Sequence, residues 1–276
     1  MQEMTLKEIQ EVGLKILHDV HNFCVAKQIN YTLYGGTMIG AIRHKGFIPW
    51  DDDVDIAMPR PDYERFIEEY RSDSGYKLIC YEHGGSQLAF ARVCEMTDTY
   101  VKQSLPWCKH ATGVYIDVFP LDGAPDDYNE AKHFIRNLHF SWTCLKLSRV
   151  SQRKLKEQKT IKRKFNVLVR KILFRNCFTK QIDWTKRHID ACRSIPYNAT
   201  NHFANVSFME YKMKEYQSKD DFQSAILVPF EDGLFYVCNG YDHLMRIKYG
   251  DYMQLPPEQQ RLLKHGGSGY YWKDKK

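Results

Sequence analysis

Four carboxylates stand within five residues in the segment Asp51-Asp52-Asp53-Val54-Asp55. Their mutual repulsion predicts a cation among them, and the competing interpretation is a solvated acidic turn. The alternation from Asp53 to Met58 predicts a strand that turns Val54 and Ile56 to the core and projects Asp53 and Asp55 from the other face. Two hard oxygen ligands side by side suit Mg²⁺ or Mn²⁺, and such a metal suits a phosphate substrate.

A glycine pair precedes the acidic segment. The dipeptide Gly35-Gly36 follows a short β-prone run, and Thr37 is predicted to cap a helix over residues 38–45. Glycines let a phosphate approach the backbone, and a helix N-terminus offers free N–H groups to it. A third carboxylate from a neighbouring strand would complete a metal site. Asp117, flanked by apolar residues, is the first candidate, and Asp122 is the second.

The elements that must position these residues follow from periodicity. The spacing of apolar residues predicts an amphipathic helix over residues 5–29. Helices are also predicted over residues 62–70 and 127–147. Strands are predicted at 76–82, 87–95, 99–103 and 114–119. From residue 183 onward the pattern is α-rich but broken, and residues 266–276 look like a loose tail. The fold class expected is α+β, with a strand-rich core at about 30–120 between helices.

The charge is unevenly distributed. The chain carries a net +6, yet residues 146–187 hold fifteen Lys or Arg against two acids, a net +13 that leaves −7 for the rest. Such a block favours a polyanionic partner. We predict three parts: a catalytic core with its N-terminal helix at 1–145, a basic helical segment at 146–200, and a C-terminal part at 201–276 that packs on the core.

The basic segment contains the pattern of a second amphipathic helix. It is either a solvated face with a packed stripe or an element that lies on an anionic membrane surface. Nucleic acid is not expected, because the block has few aromatic residues and no RNA motif. The residues concerned are Ile161, Phe165, Leu168, Val169, Ile172 and Leu173 on the apolar side, and Lys162, Arg163, Lys164, Arg170, Lys171 and Arg175 on the basic side.

The expected cellular location follows from three features that the sequence lacks. The chain has no secretory signal, no apolar run of about 18 residues and no C-x-x-C pair among its eight cysteines. We therefore expect reduced cysteines and a cytoplasmic protein, peripheral at the inner face of the membrane if the basic segment binds lipid.

The segment from Gly35 to Ile56 strongly resembles the signature of the LicD family, which is related to the fukutin-type enzymes. Residues 116–122 and 249–257 are also similar to LicD motifs. The resemblance implies a nucleotidyltransferase-like mixed β-sheet and a metal-dependent transferase that uses a CDP-alcohol donor. For LicD proteins proper the donor is CDP-choline, and phosphocholine goes to a sugar hydroxyl of a cell-surface glycan or teichoic-acid-type precursor, often lipid-linked, with CMP released.

The resemblance to the LicD family implies a role for each residue that matches its motifs. Asp53, Asp55 and Asp117 would be metal ligands, and Asp51 would orient the metal shell or accept the hydroxyl proton. Besides Gly35, Gly36 and Thr37, the substrate-binding candidates are Arg43 and His44 for the diphosphate and Trp50 for the alcohol.

A choline group favours an aromatic cage, for which Trp50, Trp107 and Tyr115 are candidates. Ethanolamine, ribitol and glycerol remain alternative alcohols. Two alternative functions also remain: a nucleotidyltransferase that hands NMP to a small acceptor, and a non-catalytic polyanion-binding scaffold.

Overall fold

The computed structural model describes residues 1–102, 108, 112–150, 160–172, 182–261 and 269–274. The α-helices are α1 (Leu6–Lys27), α2 (Gly35–Ile39), α3 (Arg60–Glu69), α4 (Tyr128–Val150), α5 (Ile161–Lys171), α6 (Trp184–Cys192) and α7 (Tyr241–Tyr249). The strands are β1 (Gln2–Glu3), β2 (Thr32–Leu33), β3 (Asp55–Pro59), β4 (Lys77–Ile79), β5 (Ala91–Cys94), β6 (Thr99–Val101), β7 (Tyr115–Ala124), β8 (His202–Ala204), β9 (Tyr216–Ser218), β10 (Ala225–Phe230), β11 (Gly233–Cys238) and β12 (Tyr270–Trp272).

A mixed sheet forms the centre of the fold. Its order is β2-β3-β7-β5-β4, and β8 pairs with the far part of β7 and with β9. Strands β3 and β7 run parallel, whereas the other neighbours are antiparallel. Helices flank the sheet, so the predicted α+β class is confirmed.

Helix α1 begins with a capping box. The Thr5 side chain accepts from the backbone N–H of Glu8, and the Glu8 carboxylate accepts from the backbone N–H of Thr5. Its apolar side chains at helical spacing are buried against the sheet, as the sequence predicts. They include Ile16, Leu17 and Val20, each fully buried in the largest core cluster.

The C-terminal part differs from the α-rich pattern predicted for it. After α6, the described residues form one α-helix, α7, against five strands. Strands β10 and β11 make a hairpin, and β12 lies between β1 and β6. Residues 234–238 read Leu-Phe-Tyr-Val-Cys, a run of large apolar and aromatic residues that fits a pleated surface better than a helix. The predicted loose tail therefore contains a strand.

The basic segment contains α5, which begins at the N-cap Thr160. Ile161, Phe165, Leu168 and Ile172 are exposed, whereas Val167 is buried. Leu173, Arg175 and the side chains of Arg170 and Lys171, named above, lie outside the described residues, as does Trp107. Within the part of the chain that is described, no helix has both the length and the hydrophobicity to span a bilayer.

Candidate active site

A row of charged side chains crosses three neighbouring strands. Asp55 of β3 is the register partner of Asp117 on β7, and Asp117 is the partner of Arg92 on β5. Cross-strand partners share one face of a sheet, so the three side chains meet. Arg92 Nε donates to Asp117 Oδ1 at 2.5 Å and Nη2 donates to Oδ2 at 3.2 Å. This forked geometry fixes the Asp117 carboxylate beside Asp55.

The other acids lie in the loop that leads into β3. The strand begins at Asp55, two residues later than predicted, although the backbone N–H of Asp117 still donates to the Val54 carbonyl at 2.8 Å. Val54 and Ile56 are buried as predicted. Asp51, Asp52 and Asp53 each offer a carboxylate oxygen within 4.8 Å of the others. Asp51, Asp53, Asp55 and Asp117, the four predicted catalytic acids, all line one cleft.

The electrostatics of this cleft favour a bound cation. Burial, and then the charges of Asp53, Asp117 and Asp51, raise the pKa of Asp55 well above the ordinary value, while Lys248 acts in the opposite direction. Crowded carboxylates of this kind are stabilised by a hard divalent cation, so the residues present fit Mg²⁺ or Mn²⁺. Asp53, Asp55 and Asp117 remain the predicted ligands, and the ion pair with Arg92 holds Asp117 in place beside Asp55.

The glycine pair makes room for these carboxylates. Gly35 has φ +55°, and a Cβ on it would lie 2.9 Å from Asp55 Oδ2. A Cβ on Gly36 would lie 2.5 Å from Asp51 Oδ2. Both glycines line the cleft. In the fold, the absence of a side chain at these two glycines lets Asp51 and Asp55 lie against the start of α2. The close approach of a phosphate to this backbone remains a prediction.

Thr37 does not cap a helix. Helix α2 begins at Gly35, and its N-cap Tyr34 makes no side-chain capping bond. Instead Thr37 is buried, and its Oγ1 accepts from the backbone N–H of Asp55 at 2.8 Å. The helix starts at Gly35, three residues earlier than a threonine cap would place it, and Thr37 thereby anchors the first residue of β3.

Of the remaining predicted substrate-binding residues, Trp50 lines the cleft, whereas Arg43 and His44 are absent from the described lining. Helix α2 continues as a π-helical turn at residues 40–44, which aims Arg43 at the C-terminal loop. There its Nη1 donates to the carbonyl of Tyr252 at 2.6 Å, and its Nε donates to His44 at 2.9 Å. Burial lowers the pKa of His44, and so does the charge of Arg43.

Asp122, the second candidate for the third carboxylate, lies elsewhere. It is fully buried and accepts from Arg60 Nε at 2.6 Å and Nη2 at 2.8 Å. Asp122 is five residues beyond Asp117 on β7, an odd spacing that places it on the opposite face of the strand. The pair thus contributes to the core and not to the cleft.

A buried lysine beside Asp55 escaped the sequence prediction. Lys248 Nζ lies 2.7 Å from Glu215 Oε1, and the Tyr34 hydroxyl donates to the same carboxylate. The ammonium also lies 4.2 Å from the ring centroid of Tyr34, 4.6 Å from Tyr211 and 5.6 Å from Tyr249. The signal available was its position directly before the Tyr249 motif, but nothing in the sequence pairs it with Glu215.

Arg92 also escaped prediction, although a charged residue inside the apolar run of β5 was a usable signal. Its guanidinium lies 3.8 Å from the ring centroid of Tyr115. Tyr115 in turn shares a side-chain hydrogen bond with Tyr270 of β12. Strand β5, through Arg92, and β12, the last of the described strands, therefore both support Asp117.

The cleft has a volume of about 760 Å³, and its lining contains both charged and aromatic residues. The aromatic residues include Phe90, Phe119, Trp142 and Phe208. A space of this size accommodates a nucleotide-sized ligand. Tyr115 lies beneath Arg92, and Trp50 is the one residue of the predicted cage among the described lining residues.

Comparison with known proteins finds similarity to one family. The family model described as "LicD/FKTN/FKRP, nucleotidyltransferase domain" matches residues 28–148. The chain is 31% identical over 285 residues to the lipopolysaccharide cholinephosphotransferase LicD of Haemophilus influenzae, covering 98% of this chain and 99% of that protein. An uncharacterized protein of Rickettsia typhi is 31% identical over 67 residues, which cover 23% of this chain and 21% of that protein. An uncharacterized protein of Rickettsia prowazekii is 40% identical over 48 residues, which cover 17% of this chain and 18% of that protein.

Proposed function

Because the chain belongs to the LicD family, we propose that it transfers phosphocholine from CDP-choline to a sugar hydroxyl of a lipopolysaccharide-type or similar cell-surface glycan precursor. The observation that carries the proposal is the cleft in which Asp51, Asp53, Asp55 and Asp117 converge. The near full-length similarity to a lipopolysaccharide cholinephosphotransferase supports the choice of alcohol and acceptor.

The proposed reaction is an in-line displacement at the phosphorus that carries choline. The sugar oxygen forms the new P–O bond, the bond to the CMP phosphate breaks, and the hydroxyl proton passes to a carboxylate. A bound Mg²⁺ or Mn²⁺ would neutralise the diphosphate and stabilise the charge on the leaving CMP.

The protein's own residues supply position and charge. Asp53 and Asp55 are the proposed metal ligands, with Asp117 held beside them by Arg92. We assign the hydroxyl proton to Asp51, whose carboxylate lies in the cleft close to Gly36 at the start of α2.

The test is CMP release from CDP-choline in the presence of Mn²⁺, with an acceptor glycan. Asp53→Asn and Asp55→Asn keep the shape of each side chain and remove a charge, so each should abolish turnover while the melting temperature changes little. Asp73→Asn, at an exposed position, is the matched control. Turnover near the wild-type rate in either cleft variant would refute the proposed site.

A panel of donors extends the same assay. CDP-choline, CDP-ethanolamine, CDP-ribitol and CDP-glycerol identify the alcohol by the rate of CMP release. Incubation with CTP and acceptor tests the alternative chemistry, since a nucleotidyltransferase would release pyrophosphate and leave NMP on the acceptor. Pyrophosphate release without CMP release from any CDP-alcohol would replace the proposal with that alternative.

We further propose that α5 holds the protein against an anionic membrane, where a lipid-linked acceptor would lie. Ile161 is 86% exposed and Phe165 62% exposed, although both are large and apolar. They recur with Leu168 at helical spacing beside the exposed basic side chains of residues 162–164. An apolar stripe flanked by basic residues is typical of interfacial helices.

Flotation with vesicles of phosphatidylcholine, with and without phosphatidylglycerol, tests this placement. Binding should need the anionic lipid, weaken with salt and fall in a Phe165→Ser variant, whereas Phe140→Ser, also exposed, should bind as the wild type does. Equal flotation with both lipid compositions would exclude an electrostatic anchor.

A further inference from the structure

The cleft contains two groups of aromatic rings, with Phe119 between them. One is the tyrosine group of Tyr34, Tyr211 and Tyr249 around Lys248. The other is an aromatic wall that we define as Phe90, Trp142 and Phe208. In this wall the Phe208 ring centroid lies 6.2 Å from that of Phe90 and 6.3 Å from that of Trp142, nearly perpendicular to both.

The tyrosine group already holds a cation. Lys248 is buried there and is fixed by its ion pair with Glu215, so that its ammonium occupies the position that a ligand cation would need. Removing a buried ammonium from its carboxylate is costly. The tyrosine group is therefore closed to a second cation.

The aromatic wall is accessible. Phe208 is 39% exposed although it lies in the cleft. The ammonium of Lys146 lies 4.0 Å from the Trp142 ring centroid, which shows that this ring face accepts a cation from the cleft side. Lys146 is itself exposed, so its flexible side chain can leave this position for solvent at small cost.

The wall also lies at a suitable distance from the acids. Phe90 directly precedes β5, and the guanidinium carbon of Arg92 lies 5.7 Å from the Phe90 ring centroid. That is the scale of the short alkyl chain that joins a phosphoryl group to an ammonium group. Glu210, an exposed carboxylate of the same lining, supplies a negative charge near the wall.

Resting on the proposed function, we infer that the aromatic wall together with Glu210 is the subsite for the transferred alcohol and that it selects a quaternary ammonium. A trimethylammonium group has no N–H donors, so it loses little when it leaves water for ring faces. A primary ammonium or a polyol would lose hydrogen bonds that this wall cannot replace.

Direct binding by the full chain tests the inference without turnover. Calorimetry in Mn²⁺ would compare CDP-choline, CDP-ethanolamine and the cytidine diphosphate ester of 3,3-dimethylbutanol, the neutral isostere of choline. The wild type should bind CDP-choline about tenfold more tightly than either of the others. Phe208→Leu, Trp142→Leu and Glu210→Gln should each reduce that preference several-fold, whereas Phe140→Leu, exposed on α4 and outside the described lining, should not.

Other outcomes separate the two levels of the argument. Equal binding of CDP-choline and its neutral isostere, or an equal loss for all three ligands in the variants, overturns the subsite. Choline-selective binding that depends on the wall, without CMP release from any donor, keeps the subsite and refutes the transferase. If CMP release from CDP-choline is unchanged in all three variants, the transferase is supported and the subsite is refuted. If the wild type does not bind CDP-choline, both the subsite and the transferase are refuted.

Discussion

Gly36→Ala is the sharpest perturbation that the structure offers, since it moves one carboxylate without removing any charge. The new Cβ would lie 2.5 Å from Asp51 Oδ2, whereas ordinary contact begins at 3.4 Å, so the carboxylate must shift by about 0.9 Å. Asp51 stands in a loop and can yield. A displacement near 1 Å of a group that acts on the reacting atoms costs about 100-fold in rate.

Stability should respond far less than activity. Alanine is favoured over glycine in a helix by up to about 1 kcal/mol, which offsets the new contact. We therefore expect the free energy of unfolding, measured in urea, to change by less than about 1 kcal/mol. The kcat for CMP release should fall by about two orders of magnitude with saturating CDP-choline and Mn²⁺.

A double-mutant cycle shows whether the effect passes through Asp51. If it does, Gly36→Ala should add almost nothing in an Asp51→Ala background, where the smaller side chain leaves room for the methyl group. Affinity for Mn²⁺, followed by titration, gives a second readout when turnover is too slow to measure. Gly36→Ala with more than half the wild-type kcat, or full additivity in the cycle, would refute the reasoning.

Three further predictions concern groups around the site and in the core. Asp122→Asn should lower the free energy of unfolding by about 3 kcal/mol in urea, because it leaves Arg60 buried without its charge partner, while kcat of the folded fraction stays near that of the wild type. Arg92→Met should lower the free energy of unfolding by a similar amount. It should also lower kcat, because Asp117 loses the two hydrogen bonds that orient it, and an unchanged kcat would contradict this. Burial lowers the pKa of His188 from 6.5 to about 4. The unfolded chain then binds the extra proton first, so the free energy of unfolding should fall by about 3 kcal/mol in total as the pH drops from 6.5 to 4, and His188→Gln should flatten that slope.

Local chemistry in this chain was readable from the sequence. Alternation around Val54 and Ile56 identified the buried side of β3, and the apolar neighbours of Asp117 identified it as a strand residue that faces the cleft. These predictions hold because strand parity depends only on residues adjacent in the chain. The spacing of apolar residues in α1 worked for the same reason.

Predictions that depended on distant partners were less successful. Arg43 has the chemistry of a phosphate ligand, but the backbone carbonyl of Tyr252, more than 200 residues away, binds it instead. Lys248 and Glu215 are separated by thirty-three residues, and only the folded chain brings them together beside Asp55. Strands β8 and β12 were missed because their partners β7, β1 and β6 are non-local, and a short apolar run does not reveal its partner. The β10–β11 hairpin pairs locally, and the run Leu-Phe-Tyr-Val-Cys was a usable signal for it.

The contact between Tyr270 and Tyr115 has a consequence for how the enzyme is made. Strand β12 lies between β1 and β6, and through Tyr115 it stands behind Arg92 and the acid that Arg92 holds. On a ribosome, every other described element is synthesised before this strand. A nascent chain that has not reached residue 270, or a chain cleaved before it, would contain all the acids of the cleft but would lack the contact of Tyr270 with Tyr115 behind Arg92. We expect such a chain to be inactive until residues 270–272 are present.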